Sequence, residues 1–294
     1  MTITAAEVRD LRERTGAPMM DCKKALEAVN GNMELAIEEL RKRSGLKADK
    51  KAGRITADGM IKLAATADAK SAIMLEINSE TDFVARDANF LDFAETVAKT
   101  ALDANVQDMD ALLNLTIASQ KISIEEARKA LVAKVGENIN LRRMIASNPA
   151  AVCVGTYIHG SRIGVIVELD TDNKELARDI AMHIAASKPL VISSSDVPND
   201  LIEKEKEIFI AQAATSGKPP EIIEKMVSGR VKKFLDEISL QGQPFVKDPN
   251  IQVSALLAKH RAKVLSFTRF EVGEGIEKIT EDFVEAVMSQ VHGE

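Results

Sequence analysis

The order strand–strand–helix occurs twice along this chain, and it limits the possible folds more than any other feature of the sequence. In each copy two short segments predict strands, as the alternation of Ile73, Leu75 and Ile77 shows most clearly, and a third carries apolar residues at helical spacing. The segments are residues 59–65, 73–77 and 90–101 in the first copy, and residues 152–158, 163–169 and 176–184 in the second. The sequence therefore predicts an α+β fold whose core has two similar halves, each an antiparallel sheet covered by helices.

The first 45 residues predict three short amphipathic helices. Thr4 and Glu7 have the spacing of a capping box at the start of the first helix. Residues 22–29 place their apolar side chains on one face of the second helix, and Gly45 is suited to end the third in a left-handed conformation. Three such helices make a small bundle, which is better suited to docking than to catalysis.

A basic run covers residues 41–54, which hold seven Lys or Arg and one Asp, a net charge of +7 − 1 = +6. We interpret residues 46–56 as a solvated linker, because most charge runs are solvated. The alternative is a contact with an acidic protein surface or with RNA. The whole chain carries 39 − 45 = −6, which argues against general nucleic-acid binding, so no direct nucleic-acid partner is expected.

Residues 198–240 interrupt the second copy of the repeat. Apolar residues on each of two arms have heptad-like spacing, and residues 216–220 form a turn between the arms. The seam residues are Leu201, Ile202, Ile208 and Phe209 on the first arm and Ile223, Val227, Val231, Phe234 and Ile238 on the second. The pattern predicts an antiparallel coiled-coil hairpin that serves as a subunit or partner contact. A strand over 265–272 and a helix from about residue 280 follow.

The sequence offers no residues for covalent chemistry. It has no G-x-x-x-x-G-K-[ST] phosphate loop, and its four histidines lack metal-ligand spacing, with His183 interpreted as a structural histidine. We therefore expect no enzyme, no cofactor and no metal site. Two cysteines indicate a reducing compartment, and neither a secretory signal nor an apolar run of about 20 residues is present. A cytoplasmic protein without a membrane partner is the expectation.

Two short segments stand out as candidate binding features. Thr81, Asp82, Phe83 and Val84 form a loop between a predicted strand and a predicted helix. The Phe83 ring is either tucked beneath this loop or exposed as a wedge that enters a partner's pocket beside the Asp82 carboxylate. The adjacent pair of Met19 and Met20 cannot both face one small core, so one of them is expected at the surface, where Met suits adaptable protein contacts.

Several blocks, in this order, resemble the bacterial elongation factor Ts family. The two strongest are L-R-E-R-T-G-A-P-M-M-D-C-K-K-A-L at residues 11–26 and I-N-S-E-T-D-F-V-A-R at residues 77–86. Further similar blocks lie at residues 136–139, 157–164, 242–246 and 269–277. Together they extend over essentially the whole chain, and several blocks in the right order are more specific than any one motif.

The resemblance implies a guanine nucleotide exchange factor that binds elongation factor Tu in its GDP-bound and nucleotide-free forms. It also implies an N-terminal domain like the ubiquitin-associated (UBA) domain and a C-terminal helical module. The domain boundaries that we expect are residues 1–45 for the UBA-like domain, 46–56 for the linker, 57–145 for the first core half, 146–197 with 241–279 for the second, 198–240 for the coiled-coil hairpin and 280–294 for the C-terminal module.

The resemblance also assigns roles to particular residues. Asp82 and Phe83, flanked by Thr81 and Val84, would intrude at the partner's magnesium and nucleotide site. The other residues that match family contacts are Arg12, Met19 and Met20 in the N-terminal domain and His159, Phe245 and Val246 in the core. A homodimer, a dimer of heterodimers and a one-to-one complex all stay open. The alternative function is a UBA-like binding module on a structural core, without exchange activity.

Overall fold

The computed structural model describes residues 3–214 and 219–277. The predicted C-terminal helix and the module at 280–294 lie outside these residues, as does most of the predicted turn at 216–220. Within the described ranges the chain is a mixture of helices and small antiparallel sheets, which confirms the α+β class. Within the same ranges no helix combines the length and the apolar character needed to cross a membrane.

The chain begins with three helices, α1 (Ala5–Thr15), α2 (Met19–Ala28) and α3 (Met33–Lys51). The predicted capping box is present, with the Glu7 backbone donating to Thr4 Oγ1 and the Thr4 backbone donating to the Glu7 carboxylate. Leu11, Cys22 and Leu26 are fully buried in a separate small core between the three helices. The predicted amphipathic spacing of this segment is therefore confirmed.

The predicted end of α3 at Gly45 is wrong, because the helix continues to Lys51 and includes the first half of the expected linker. Long-range contacts favour the helix: Ala48 is buried in the core of the first half, and α3 packs against helix α7 (Ile124–Val135). Lys47 is paired with Asp21 at 2.6 Å, and Lys51 donates to the carbonyl of Gly136. A glycine within a helix costs about 1 kcal/mol, which these contacts outweigh. Only six residues separate α3 from the first strand.

The first half of the core contains a three-stranded antiparallel sheet in the order β1-β2-β5. The predicted hairpin and the helix after it are confirmed, and the third strand pairs with the second. The elements are β1 (Asp58–Ala65), β2 (Ala72–Ser79), α4 (Asp82–Ala85), α5 (Ala88–Asp103), α6 (Met109–Asn114), β3 (Thr116–Ile117), β4 (Ile122–Ser123), α7 (Ile124–Val135) and β5 (Ile139–Ala146). Apolar side chains of α5 and α7 cover one face of this sheet.

The second half repeats this arrangement with the sheet order β6-β7-β10. Its elements are β6 (Cys153–His159), β7 (Ile163–Leu169), α8 (Lys174–Ser187), α9 (Asn199–Ala214), α10 (Pro220–Ile238), β8 (Pro244–Phe245), β9 (Asp248–Gln252), α11 (Val253–Lys259) and β10 (Val264–Glu271), with 3-10 turns at Ser194–Asp196 and Leu240–Gly242. The strand–strand–helix order predicted twice is thus present twice. In each half a further helix, α7 or α11, leads directly into the third strand.

The register of the third strand shows which residues of the two halves are equivalent. In the first half the pairing shifts by one residue between Glu76 and Ile77, which face Arg143 and Leu141. In the second half it shifts between Glu168 and Leu169, which face Ser266 and Val264. Such an irregularity is a β-bulge, which is a built feature of a sheet rather than a defect. A bulge beside a buried glutamate in both halves makes Glu76 equivalent to Glu168.

The two sheets pack face to face through a shared apolar layer. Ile61 and Met74 of the first sheet meet Val154, Ile166 and Phe270 of the second. The sheets approach closely at Gly164, where an added Cβ would lie 2.5 Å from Ile61 Cγ2 and 2.7 Å from Met74 Sδ. Each sheet thus has its helices on one face and the other sheet on the opposite face.

Helices α9 and α10 pack against each other at the place predicted for the hairpin. The Phe209 and Phe234 rings meet edge to face at 6.5 Å, and Arg230 donates to Gln212 at 3.0 Å, pairings that require antiparallel helices. Ile208, expected on this seam, is instead exposed. Successive residues on a helix point about 100° apart, so Ile208 and Phe209 cannot both face α10.

Candidate functional site

The Phe83 segment is a short helical turn that projects from the first half between β2 and α5. Thr81 caps α4, with its hydroxyl oxygen accepting from the Val84 N–H at 3.4 Å. The Val84 side chain is buried in the core of the first half, whereas the Phe83 side chain is 82% exposed. Because neighbouring residues of a helical turn point in different directions, burial of Val84 directs Phe83 outward. The ring is therefore exposed rather than tucked beneath the loop.

Asp82 lies beside this ring and is also accessible. Its carboxylate accepts a hydrogen bond from Arg86 at 2.9 Å, and both side chains are largely at the surface. An ion pair of this kind contributes between about 0 and 1 kcal/mol in water. The carboxylate can therefore leave Arg86 for a competing cation or polar group at little cost.

The residue before this pair is held from another part of the first half. The Glu137 carboxylate accepts from the Thr81 N–H at 3.0 Å and from the Thr81 hydroxyl at 2.8 Å. The Ser79 hydroxyl in turn donates to the Thr81 carbonyl at 2.8 Å. Sequence reasoning missed Glu137 as a contributor to the site. A sequence signal existed in the block at residues 136–139, because a glycine is typical of the residue that ends a helix. In the structure Gly136 ends α7 in the left-handed conformation with a φ of +84°.

The N-terminal candidates lie at the surface of the three-helix unit. Met19 and Met20 begin α2 with exposures of 55% and 60%, and Arg12 is exposed on α1. Only one exposed methionine was expected. The structure has two, because Cys22, Ala25 and Leu26 form the buried face of α2. These candidates belong to a different unit from Phe83.

The candidates of the second half divide between surface and core. His159 is exposed at the end of β6 and stacks on Tyr157 with ring centroids 6.4 Å apart. Val246 is exposed, but the Phe245 side chain is only 6% exposed and packs into the core of this half. The pair does not present two contact residues, because consecutive residues here point inward and outward.

His183 supports the segment that carries Phe245 and Val246. Its ring is fully buried, with Nε2 2.9 Å from Gln243 Oε1 and Nδ1 accepting from the Val246 N–H at 3.2 Å. Since the N–H of Val246 must donate, Nδ1 carries no proton and the ring is neutral with its proton on Nε2. Burial lowers the pKa of His183, against an opposing effect of its hydrogen bond to Gln243. The interpretation of His183 as a structural residue agrees with these contacts.

Phe83, Met19 and Met20 are therefore large apolar side chains that project from the surface, which is a feature typical of proteins that bind other proteins. The family model for "Elongation factor TS" matches residues 80–274. Curated elongation factor Ts proteins are 57% identical in Legionella pneumophila over 290 residues, 57% in Thioalkalivibrio sulfidiphilus over 294 residues and 53% in Coxiella burnetii over 293 residues. The matches cover 99%, 100% and 99% of this chain and the same shares of the three relatives.

This chain belongs to the elongation factor Ts family. It is therefore an elongation factor of protein biosynthesis.

Proposed function

We propose that this chain is a guanine nucleotide exchange factor for elongation factor Tu in translation elongation, as its family implies, and that Phe83 and Asp82 carry the exchange. The observation that supports this role is the 82% exposure of a Phe side chain on a turn whose neighbouring residues are anchored. Exposure of such a ring in the free protein carries a cost that is recovered when a partner covers it. Burial of a Phe side chain contributes about 2–3 kcal/mol.

In the proposed mechanism the Phe83 ring enters an apolar pocket of the partner close to its nucleotide site. Asp82 then competes for the groups that order the partner's Mg²⁺ ion. The metal is the main neutraliser of the phosphate charge of GDP, so weaker metal binding accelerates GDP release. The factor favours the nucleotide-free partner, and by reciprocity nucleotide binding weakens the hold of the factor. This chain makes and breaks no covalent bond in the cycle.

The remaining surface candidates fit the role of docking contacts. We propose that Arg12, Met19 and Met20 bind the partner from a UBA-like three-helix domain, and that His159 and Val246 bind it from the second half. Phe245 would support Val246 from within the core. We further propose that α9 and α10 form a coiled-coil hairpin for a subunit or partner contact, and that residues 57–145 and 146–197 with 241–279 form the two halves of the core.

The first experiment measures release of a fluorescent GDP analogue from elongation factor Tu at fixed Mg²⁺, with and without this protein. Wild-type protein at substoichiometric amounts should accelerate release strongly. The double variant Asp82→Ala with Phe83→Ala should slow the catalysed release by well over tenfold, because a loss of about 2 kcal/mol corresponds to about 30-fold. Glu175→Ala is the matched control and should act like wild type, because Glu175 is exposed two residues after the cap of α8, as Phe83 is two residues after the cap of α4.

A second candidate function is partner binding without exchange, which the exposure of both Met19 and Met20 favours. Under this alternative the wild-type protein binds elongation factor Tu but leaves GDP release unchanged. Met19→Ala with Met20→Ala would then abolish binding, while the Asp82 and Phe83 variant would bind normally. An unchanged far-UV spectrum of the double variant combined with undiminished exchange would exclude the proposed role of the Asp82–Phe83 turn.

A further inference from the structure

The loop between α7 and β5 lies directly against the turn that carries Phe83. Besides the two hydrogen bonds from Thr81 to Glu137, the Asn138 N–H donates to Glu80 Oε1 at 2.5 Å. Each loop thus supplies a carboxylate that accepts from the backbone of the other. We call Glu80, Thr81, Glu137 and Asn138 the clamp.

The clamp also connects to the end of helix α3. The buried Asn138 side chain donates to the carbonyls of Ala52 at 3.3 Å and Arg54 at 3.0 Å. Arg54 lies 3.4 Å from the carboxylate of Glu80. The turn, the α7–β5 loop and the C-terminal end of α3 are therefore held in one network.

The turn needs such outside support because α4 has only four residues. A helix of one turn fixes several backbone dihedrals for very few hydrogen bonds and is unstable alone. Its cap, the contact between Thr81 Oγ1 and the Val84 N–H, is long at 3.4 Å. Hydrogen bonds to a charged acceptor are roughly twice as strong as neutral ones, so the Glu137 carboxylate is the strongest constraint on Thr81.

The second half contains the same contact in a weaker form. Asn173 caps α8 as Thr81 caps α4, and each residue lies five positions after its glutamate, Glu168 or Glu76. The register of β10 and β5 makes His260 equivalent to Glu137, since each lies four positions before the residue on the far side of the bulge. Asn173 Nδ2 lies 3.4 Å from His260 Nδ1, a single long contact in place of two short ones to a carboxylate.

We infer that Glu137 is a positioning residue for exchange, which acts by fixing the direction in which Phe83 projects. This inference rests on the proposed function. Each carboxylate oxygen of Glu137 accepts one hydrogen bond from Thr81, so removal of the carboxylate acts directly on the residue that begins the turn.

The test is a double-mutant cycle of Glu137→Ala and Phe83→Ala, read as the maximal rate of GDP release at saturating factor and the factor concentration at half-maximal rate. Glu137→Ala alone should lower the maximal rate by about tenfold, with a change of less than threefold in the half-saturating concentration. In the Phe83→Ala background it should change neither value further, because a positioning residue has nothing left to position. Glu137→Gln, which keeps one acceptor oxygen, should restore part of the rate.

His260→Ala is the matched control, because it removes the equivalent contact of the second half and should leave the maximal rate unchanged. If the fold-reductions in maximal rate caused by Glu137→Ala and Phe83→Ala multiply in the double variant, Glu137 acts independently of Phe83. That result would overturn the inference. An unchanged rate for folded Glu137→Ala would also overturn it, while the proposed function would survive as long as Phe83→Ala still slows release. If Phe83→Ala has no effect while wild type accelerates release, the proposed role of Phe83 fails instead.

Thr81→Val provides a second variant in case Glu137→Ala does not fold, as judged by its far-UV spectrum. Valine keeps the shape of Thr81 and its N–H but removes the hydroxyl that binds both Glu137 and Val84. It should lower the maximal rate in wild type and have no further effect in the Phe83→Ala background. A full rate for Thr81→Val would contradict the clamp.

Discussion

The two halves of the core begin their first helices at equivalent positions, yet only the first half carries an exposed aromatic ring there. Thr81 and Asn173 are the caps, and Val84 and Leu176 are the buried residues three positions later. The exposed position between them holds Phe83 in the first half and Glu175 in the second. The fold therefore requires the cap and the buried residue but not the phenylalanine, which supports the functional role proposed for Phe83.

The helices themselves differ after this shared start. In the second half α8 continues without a break from Lys174 to Ser187. In the first half α4 ends at Ala85 and α5 begins at Ala88, with Asp87 as its new cap. The break separates the Phe83 turn from the long helix, so the turn depends on the clamp for its position.

The largest expected effect comes from replacing each of the two equivalent exposed residues, Phe83 and Glu175, with the residue of the other half. Phe83→Glu should slow catalysed GDP release by about 100-fold or more, since it removes the apolar group and brings a charge to the partner's pocket. Glu175→Phe should leave the release rate unchanged. The free energy of unfolding of both variants should lie within about 0.5 kcal/mol of the wild-type value, because the substituted positions are exposed. Equal loss of exchange by both variants would contradict the functional difference between the halves.

A smaller effect is expected for the equivalent buried glutamates. Glu76 accepts from Arg142 at 3.0 Å, from Arg143 at 2.6 Å and from the Gly273 N–H at 2.8 Å. Within the described ranges, the donors to Glu168 are neutral, namely the Asn148 N–H and the Ser266 hydroxyl. Loss of one partner of a buried ion pair costs about 3 kcal/mol. Glu76→Gln should therefore lower the free energy of unfolding by about 3 kcal/mol and Glu168→Gln by about 1 kcal/mol.

Chemical denaturation of both variants measures this difference. A cost for Glu168→Gln as large as that for Glu76→Gln would show that the arginines add nothing to the first half. The slope of unfolding free energy against denaturant serves as the control, because it should stay constant if both variants unfold in one step.

The smallest expected effect is a difference between the two halves in how their stability decreases at acidic pH. His183 is neutral in the folded second half with a lowered pKa, so the stability it contributes is complete above about pH 6.5 and decreases as the pH falls below that value. Burial works to raise the pKa of Glu76, but its hydrogen bonds outweigh burial and hold the pKa below the usual value. The contribution of Glu76 is therefore lost only below about pH 4.5.

Hydrogen exchange between pH 5 and 6 should accordingly show faster opening of residues 183–187 and 243–253 than of the β1-β2 hairpin. His183→Gln, which does not titrate in this range, should lose the difference. Uniform opening of both halves would contradict the assignment of the acid response to His183.

The hairpins, their following helices and the amphipathic N-terminal segment could be predicted because their information is local. Alternation, helical spacing and caps such as Thr4 are visible within a few residues. The continuation of α3 could not be predicted, since Ala48 and Lys47 are held by partners distant in sequence. A charged run looks solvated until those partners are known.

The site shows the same limit. The family resemblance predicts a role for Asp82 and Phe83, but local sequence left the exposure of the ring open, because exposure depends on how Val84 packs into the core of the first half. Glu137 lies 56 residues from Thr81, and only the pairing of β5 with β2 brings them together. Phe245 and Val246 could not be distinguished for a similar reason, since the packing around His183 decides which of them faces inward.

The late arrival of β10 has a consequence for how the chain is made. The first sheet is complete once residue 146 has left the ribosome, whereas β7 must wait for β10, whose pairing begins at Val264. From Leu169 to Val264 is 264 − 169 = 95 residues, or about 5 to 20 seconds of synthesis at ordinary rates. During that time β7 presents an unpaired edge, the feature of a nascent chain most prone to wrong association. The edge of β7 closes only when β10 has been made, because β10 is the strand that pairs with it.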